Sequence, residues 1–338
     1  MVLIQNYSLA IAFCVLTMIC WGSWANAQKI ASKTWRFELY YWDVVLGMLF
    51  VGILSAFTVG SLGSDGRNFL TDLQTADTSS ITNAIIGGAL WNLGTILLVA
   101  AINIAGIAIA FPIGGGIAWI LGTIVNYIII EMSGGTASQK PVLLWIGVAI
   151  IITAIYLSSV IYKRMSQSKN EKPVKGIVIA ILAGIVIAFF YGFMVKSIDP
   201  AFVSGGTGKL TPYSTIFFYC IGVFVSTFII NPVMMAKPVT GAPLSMKDYF
   251  KGTSKDHFAG ILAGIVFCIG VVVSFMAVGA ANPAIAYALS NAAPVVAMLW
   301  GIFVWKEFKG AEKTTNMFLI TMFSFFVIGL ILVTLSNM

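Results

Sequence analysis

Ten apolar runs, each of about 20 residues or more, leave this chain one solvent in which to fold. Fifty-nine per cent of the residues are hydrophobic, 9% are charged and the mean hydropathy is +0.97. With 19 basic and 12 acidic side chains, a chain of 338 residues cannot cover a water-soluble surface. Runs of this length suit a hydrocarbon core roughly 30 Å thick, where the backbone must satisfy its own hydrogen bonds. Ten-residue alternation, the mark of a membrane barrel, is missing. The expected class is therefore all-α and integral to the membrane. Its spans are placed at 8–28, 38–60, 81–102, 105–130, 141–162, 174–195, 212–235, 258–280, 283–305 and 314–336.

The runs fall into two related sets of five. At a shift of 176 residues Gly88 falls on Gly264, Gly94 on Gly270, Glu131 on Glu307, and Ala108 to Phe111 on Ala284 to Tyr287. A shift of 175 places Gly47 on Gly222, and one of 170 places Trp21 and Gly22 on Tyr191 and Gly192. Five spans per copy make the second enter the bilayer from the opposite side. Such a 5+5 inverted repeat is a common plan of secondary transporters, with the solute held where the halves meet. The expected organisation is a first repeat over 1–162, a basic linker over 163–173 carrying Pro173, and a second repeat over 174–338.

Basic residues set the orientation. Lys29, Lys33, Arg36, Lys163, Arg164, Lys169, Lys172, Lys175, Lys237, Lys247, Lys251, Lys255, Lys306, Lys309 and Lys313 lie on one face; Arg67, Lys140, Lys196 and Lys209 lie on the other. The richer face is expected in the cytoplasm and both termini outside. The net charge of +7 then reflects insertion and calls for no nucleic-acid partner. The first run has no basic lead-in or small-residue cleavage site, so it reads as a span and not a signal. Cys14, Cys20, Cys220 and Cys268 read as packing residues, and His257 as a solvated histidine at a loop–helix junction.

Polar and aromatic residues within spans are the candidates for chemistry. Buried amides must pair with a neighbouring helix or a solute, and Asn92, Asn126, Ser290 and Asn291 fit either role. Trp21 and Trp24 share a helix face, Tyr191 is the repeat mate of Trp21, and Tyr287 sits in the second hairpin. Rings facing each other across the pseudo-twofold suit a planar heterocycle or a sugar face; ordinary core packing is the alternative. Asp43 lies a turn and a half inside its span and is too short to reach the interface. It is a proton-coupling candidate, unless it locks helices by pairing with Lys29 or Arg36. Pro112, Gly114, Gly115 and Gly116 should loosen a helix and serve as a hinge, with Glu131 and Glu307 as gate or capping residues at matching helix ends.

Four short motifs stand out in the N-terminal half: Gly22-Ser23-Trp24, Tyr41-Trp42-Asp43, Asn92-Leu93-Gly94 and Gly122-Thr123-Ile124-Val125-Asn126-Tyr127. On these motifs the N-terminal half resembles the ureide permease family within the drug/metabolite transporter superfamily. Ala25 stands where that family has proline, and the family's long central loop is cut to about a dozen residues here. The resemblance implies proton-linked uptake of allantoin-like ureides and nucleobases. The neighbouring glucose/ribose and rhamnose porters imply sugars instead.

The expectation is a secondary importer of a small neutral polar solute, working by alternating access in the cell (inner or plasma) membrane, as a monomer or homodimer. The coupling ion would be a proton, and no cofactor or metal is called for. A sugar porter and an exporter of metabolites or drugs are the alternatives. An enzyme is disfavoured because the spans hold no His/Asp/Ser or metal constellation, and no P-loop for ATP occurs.

Overall fold

The computed structural model of the chain describes residues 1–31, 35–63, 65–105, 107–132, 134–165, 173–199, 207–238, 241–281, 283–290, 292–293, 296, 299–304, 306 and 313–336. Regular structure among them is helical. The first half runs through α1 (Tyr7–Ser23), a 3₁₀ segment (Trp24–Ile30), α2 (Phe37–Phe57), α3 (Phe69–Thr75), α4 (Thr78–Ala105), α5 (Ile107–Met132) and α6 (Pro141–Met165). The second runs through α7 (Pro173–Ser197), α8 (Pro212–Ala236), the short α9 (Met246–Tyr249), α10 (Ser254–Ala281), α11 (Pro283–Ser290), a π-helical turn (Trp300–Val304) and α12 (Lys313–Leu335). Sequence sets many of these starts. The Asn6 side chain accepts from Leu9 N at the head of α1, and Asn68 does the same for Thr71 N at α3. Pro141, Pro173, Pro212 and Pro283 each occupy a first helical position, where the missing N–H costs nothing.

Among the described residues seven helices are long and apolar enough to cross a membrane: Phe37–Phe57, Thr78–Ile102, Ile113–Met132, Val174–Ser197, Pro212–Ala236, Ser254–Ala281 and Thr314–Leu335. Tyr7–Ser23 and Pro141–Leu157 are apolar but shorter. Large side chains such as Phe50, Phe57, Ile229, Val233 and Ile320 stand exposed on these helices, as they would toward lipid. The protein is a multi-pass, all-α membrane protein.

Two glycine crossings fix the packing. α10 lies on α1 and α2, while α4 lies on α7 and α8. Where α2 meets α10, a Cβ added at Gly47 would fall on the carbonyl oxygen of Ile261, and one added at Gly264 on that of Val44. Where α4 meets α8, a Cβ at Gly222 would fall on the carbonyl oxygen of Ile85, and one at Gly88 on that of Tyr219. Only a residue without a side chain lets backbones come this close. α6 packs against α12, and α2 also touches α8.

On the face expected outside, the loops of the two halves are tied together. Buried Arg67 donates to Asp72 (2.8 Å), to Asp199 (3.2 Å) and to the Lys209 carbonyl (2.7 Å). Asp72 also accepts from Thr211 N at 2.8 Å. The N-terminal ammonium donates to the carbonyls of Gly63 and Asp65 at 3.0 and 2.6 Å.

Two expectations need correction. The helix does not loosen at Pro112, Gly114, Gly115 and Gly116, because α5 runs unbroken from Ile107 to Met132. Gly114 serves packing instead: a Cβ there would lie 3.0 Å from the Ala180 carbonyl oxygen of α7, whereas Gly115 faces open space. In the second half α11 ends at Ser290. The first run also changes character, passing from α-helix to 3₁₀ at Trp24. Most of the linker 163–173, together with Asn291 and Glu307, lies outside the described residues.

Candidate functional site

A continuous set of aromatic rings fills the space between the two halves. Trp21 of α1 stacks on Phe267 of α10 with centroids 5.7 Å apart and planes 13° apart, and Trp24 meets the same ring edge-on at 5.7 Å. Phe267 lies 4.6 Å from Trp91 of α4, which lies 6.1 Å from Tyr219 of α8. Tyr219 leads through Phe190 to Tyr191 of α7, at 6.3 and 5.8 Å. Tyr191 stacks on Phe275 at 4.9 Å and meets Tyr287 of α11 edge-on at 4.7 Å. The expected pairing of Trp21 with Tyr191 is thus corrected: each stacks on a phenylalanine of α10, Trp21 on Phe267 and Tyr191 on Phe275.

Four polar atoms in this region are buried without a hydrogen-bond partner among the described residues: Trp21 Nε1, Asn126 Oδ1, Tyr191 OH and Tyr219 OH. Tyr191 lies beside Ser274 without forming a bond of good geometry. Two of the four belong to the first half and two to the second. Asn126 donates to the Gly122 carbonyl at 2.7 Å, which leaves its carbonyl oxygen open. A Cβ at Gly122 would fall on the Tyr287 ring, so this glycine brings α5 and Asn126 up to the cluster. Tyr287 OH donates to the Ala118 carbonyl at 2.9 Å. Buried polar atoms are nearly always paired, so four orphans among flat rings form a surface suited to a neutral, flat solute that both donates and accepts.

The other candidates lie apart from this arrangement or are already engaged. Asn92 is fully buried; its oxygen accepts from Tyr41 OH at 2.6 Å, and its nitrogen donates to Ser226 and Thr227 at 2.8 and 3.0 Å. It joins α2, α4 and α8. Ser290 Oγ is 3.5 Å from Ser274 Oγ. Glu131 accepts from Ala137 N at 2.9 Å and caps the turn after α5. Buried Cys220 and Cys268 place their sulfurs 3.7 Å apart as free thiols. Among the described residues no group of three or more His, Cys, Asp or Glu is placed to hold a metal ion.

Asp43 is buried near the start of α2. Its carboxylate accepts from Tyr249 OH at 2.6 Å and lies 3.0 and 3.1 Å from His257 Nδ1. His257 is therefore not the solvated histidine the sequence suggested; the turn after α9 folds it onto Asp43. The guanidinium of Arg36, the residue just before α2, goes to Glu38 at 2.6 Å and to the Ala242 carbonyl, and not to Asp43. Trp91, Tyr219, Phe267, Tyr249 and His257 were missed in the sequence. Only Trp91 and Phe267 carried a signal, as they are mates at the 176-residue shift.

A family model described as ureide permease matches residues 40–175 and 162–336. Ureide permease 1 of Arabidopsis thaliana is 23% identical over 100% of this chain and 99% of its own length. A probable glucose uptake protein of Staphylococcus aureus is 25% identical over 69% of this chain and 71% of its own. A crystal structure of a protein with 13% identity superposes with a TM-score of 0.61 over 97% of this chain and 99% of that one, and so shares the fold.

Proposed function

The chain belongs to the ureide permease family, whose members are transporters and not enzymes, and on that premise we propose that it is a proton-coupled importer of a small neutral solute. The observation that carries the reading is the set of four orphaned polar atoms, two from each half, set among the rings between them. The solute class is ureide- or nucleobase-like: flat, uncharged, and with donors and acceptors in its plane. Trp21, Trp24, Asn126, Tyr191, Tyr219 and Tyr287 would contact it, while Asn92 holds helices together. A sugar is the second reading, favoured by the likeness to a probable glucose uptake protein.

The halves 1–162 and 174–338 act as a 5+5 inverted repeat of ten spans, with the linker and its basic face in the cytoplasm and both termini outside. The two glycine crossings support this, because Gly47 and Gly264 use the contacts that their mates Gly222 and Gly88 use. Trp91 and Phe267 are mates and touch each other, which is expected of residues beside a pseudo-twofold axis. Alternating access would rock these halves about the ring cluster in the cell membrane, with Asp43 taking and releasing the coupled proton.

The test is uptake into proteoliposomes of labelled allantoin, uracil and glucose under an inward proton gradient. Concentrative uptake of one of them that collapses with the gradient is the expected result. Gradient-independent equilibration would remove the coupling, and no uptake of any would overturn the reading.

A further inference from the structure

Asp43 cannot exchange a proton with water by itself. Its side chain is 1% exposed, whereas that of His257 is 26% exposed. The His257 ring lies on Asp43 through Nδ1, and Trp35 and Tyr249 wall it edge-on at 5.4 and 4.8 Å. Gly252 leaves the space beside Nε2: a Cβ there would lie 2.7 Å from that nitrogen. The other titratable groups around the carboxylate are already engaged. Tyr40 OH points to the Ala259 carbonyl at 3.4 Å, and Asp256 accepts from Thr253 N and Oγ1 at 3.1 and 2.7 Å. Tyr249 donates to Asp43, and burial together with that carboxylate pushes its own hydroxyl upward, so it keeps its proton. A histidine ring can take a proton at one nitrogen and release one from the other.

We propose that His257 is a proton-transfer residue that carries the proton between Asp43 and cytoplasmic water, with Tyr249 positioning the carboxylate. The inference rests on the reading of Asp43 as the coupling carboxyl. In the inward step the Asp43 O–H bond breaks and an N–H bond forms at His257 Nδ1, giving carboxylate and imidazolium. The imidazolium then loses its Nε2 proton to water. The Nδ1–H tautomer that remains resets when the ring turns Nδ1 toward water: water protonates Nε2 and takes the Nδ1 proton, so each cycle releases only the proton that came from Asp43. Opposite charges held 3.0 Å apart out of bulk water stabilise the intermediate.

The test follows proton entry with a trapped pH dye in proteoliposomes during allantoin, uracil and glucose uptake. Solute counterflow at equal pH on both sides is measured in parallel. In His257→Gln, proton entry should fall about tenfold or more while counterflow stays near the parent, and added imidazole should restore it. Parent-like proton entry and pH profile in His257→Gln, beside an uncoupled Asp43→Asn, would overturn the relay and leave the coupling role of Asp43 standing. Full coupling in Asp43→Asn would overturn both. If His257→Gln also loses counterflow, the wild-type protein decides, because its one histidine is the target of diethyl pyrocarbonate. Loss of proton entry with counterflow kept, reversed by hydroxylamine, supports the relay; complete modification without effect overturns it.

Discussion

Gly264→Ala should destabilise the protein by a predictable amount. The new methyl would land on the Val44 carbonyl oxygen and lie 2.9 Å from Met48 N. Both are backbone atoms, so no side chain can rotate away and α2 must separate from α10. Overpacking of this kind costs about 1–3 kcal/mol, and the helix preference for alanine over glycine returns about 0.5–1 kcal/mol. Taking the middle of each range, the net loss should be about 1 kcal/mol. Gly88→Ala should lose a similar amount, since its methyl would meet the Tyr219 carbonyl oxygen and lie 2.9 Å from Val223 N. Gly115→Ala is the control: nothing lies within 4 Å of its Cβ, so it should gain about 0.5–1 kcal/mol. SDS titration of the purified protein in mixed micelles, followed by tryptophan fluorescence, reads all three. A Gly264→Ala protein as stable as the parent, or a Gly115→Ala protein as weak as Gly264→Ala, would refute the packing argument.

Tyr219→Phe and Asn92→Ala should separate solute contact from helix packing. The first removes an orphaned hydroxyl, so the same titration should show no loss of stability while the uptake KM rises about tenfold, or about 1.4 kcal/mol. The second strands Tyr41 OH and should cost about 0.6–2 kcal/mol with KM unchanged. Arg67→Ala leaves Asp72 and Asp199 buried without their cation and should cost about 3–5 kcal/mol, seen as early unfolding or lost expression. Lys251 and the Ser245 amide and hydroxyl hold the exposed Asp248 carboxyl down at about 2. The α9 cap should therefore survive at about pH 4 and be lost as pH falls through about 2; Lys251→Ala should move that midpoint upward, read by NMR of the carboxyl.

The class of fold was legible because apolar run length and the bilayer leave few solutions. Asp43 and Asn126 could be singled out because each is a polar group in an apolar run. The partners of Asp43 were not legible. Tyr249 and His257 lie 206 and 214 residues away and reach it only when the turn after α9 folds over α2. The proline–glycine stretch misled because local helix-breaking tendency was outweighed by the close packing of α5 on α7. Ring orientation was beyond the sequence too, since Phe267 and Phe275 are 2 of 24 phenylalanines and only the path of α10 selects them.

A structure determined with the transported solute bound should show it among the rings of Trp21, Phe267, Tyr191 and Tyr287, with hydrogen bonds to Asn126 Oδ1 and at least one of the Tyr191 and Tyr219 hydroxyls. A solute bound elsewhere, with those polar atoms still unpaired, would contradict that placement.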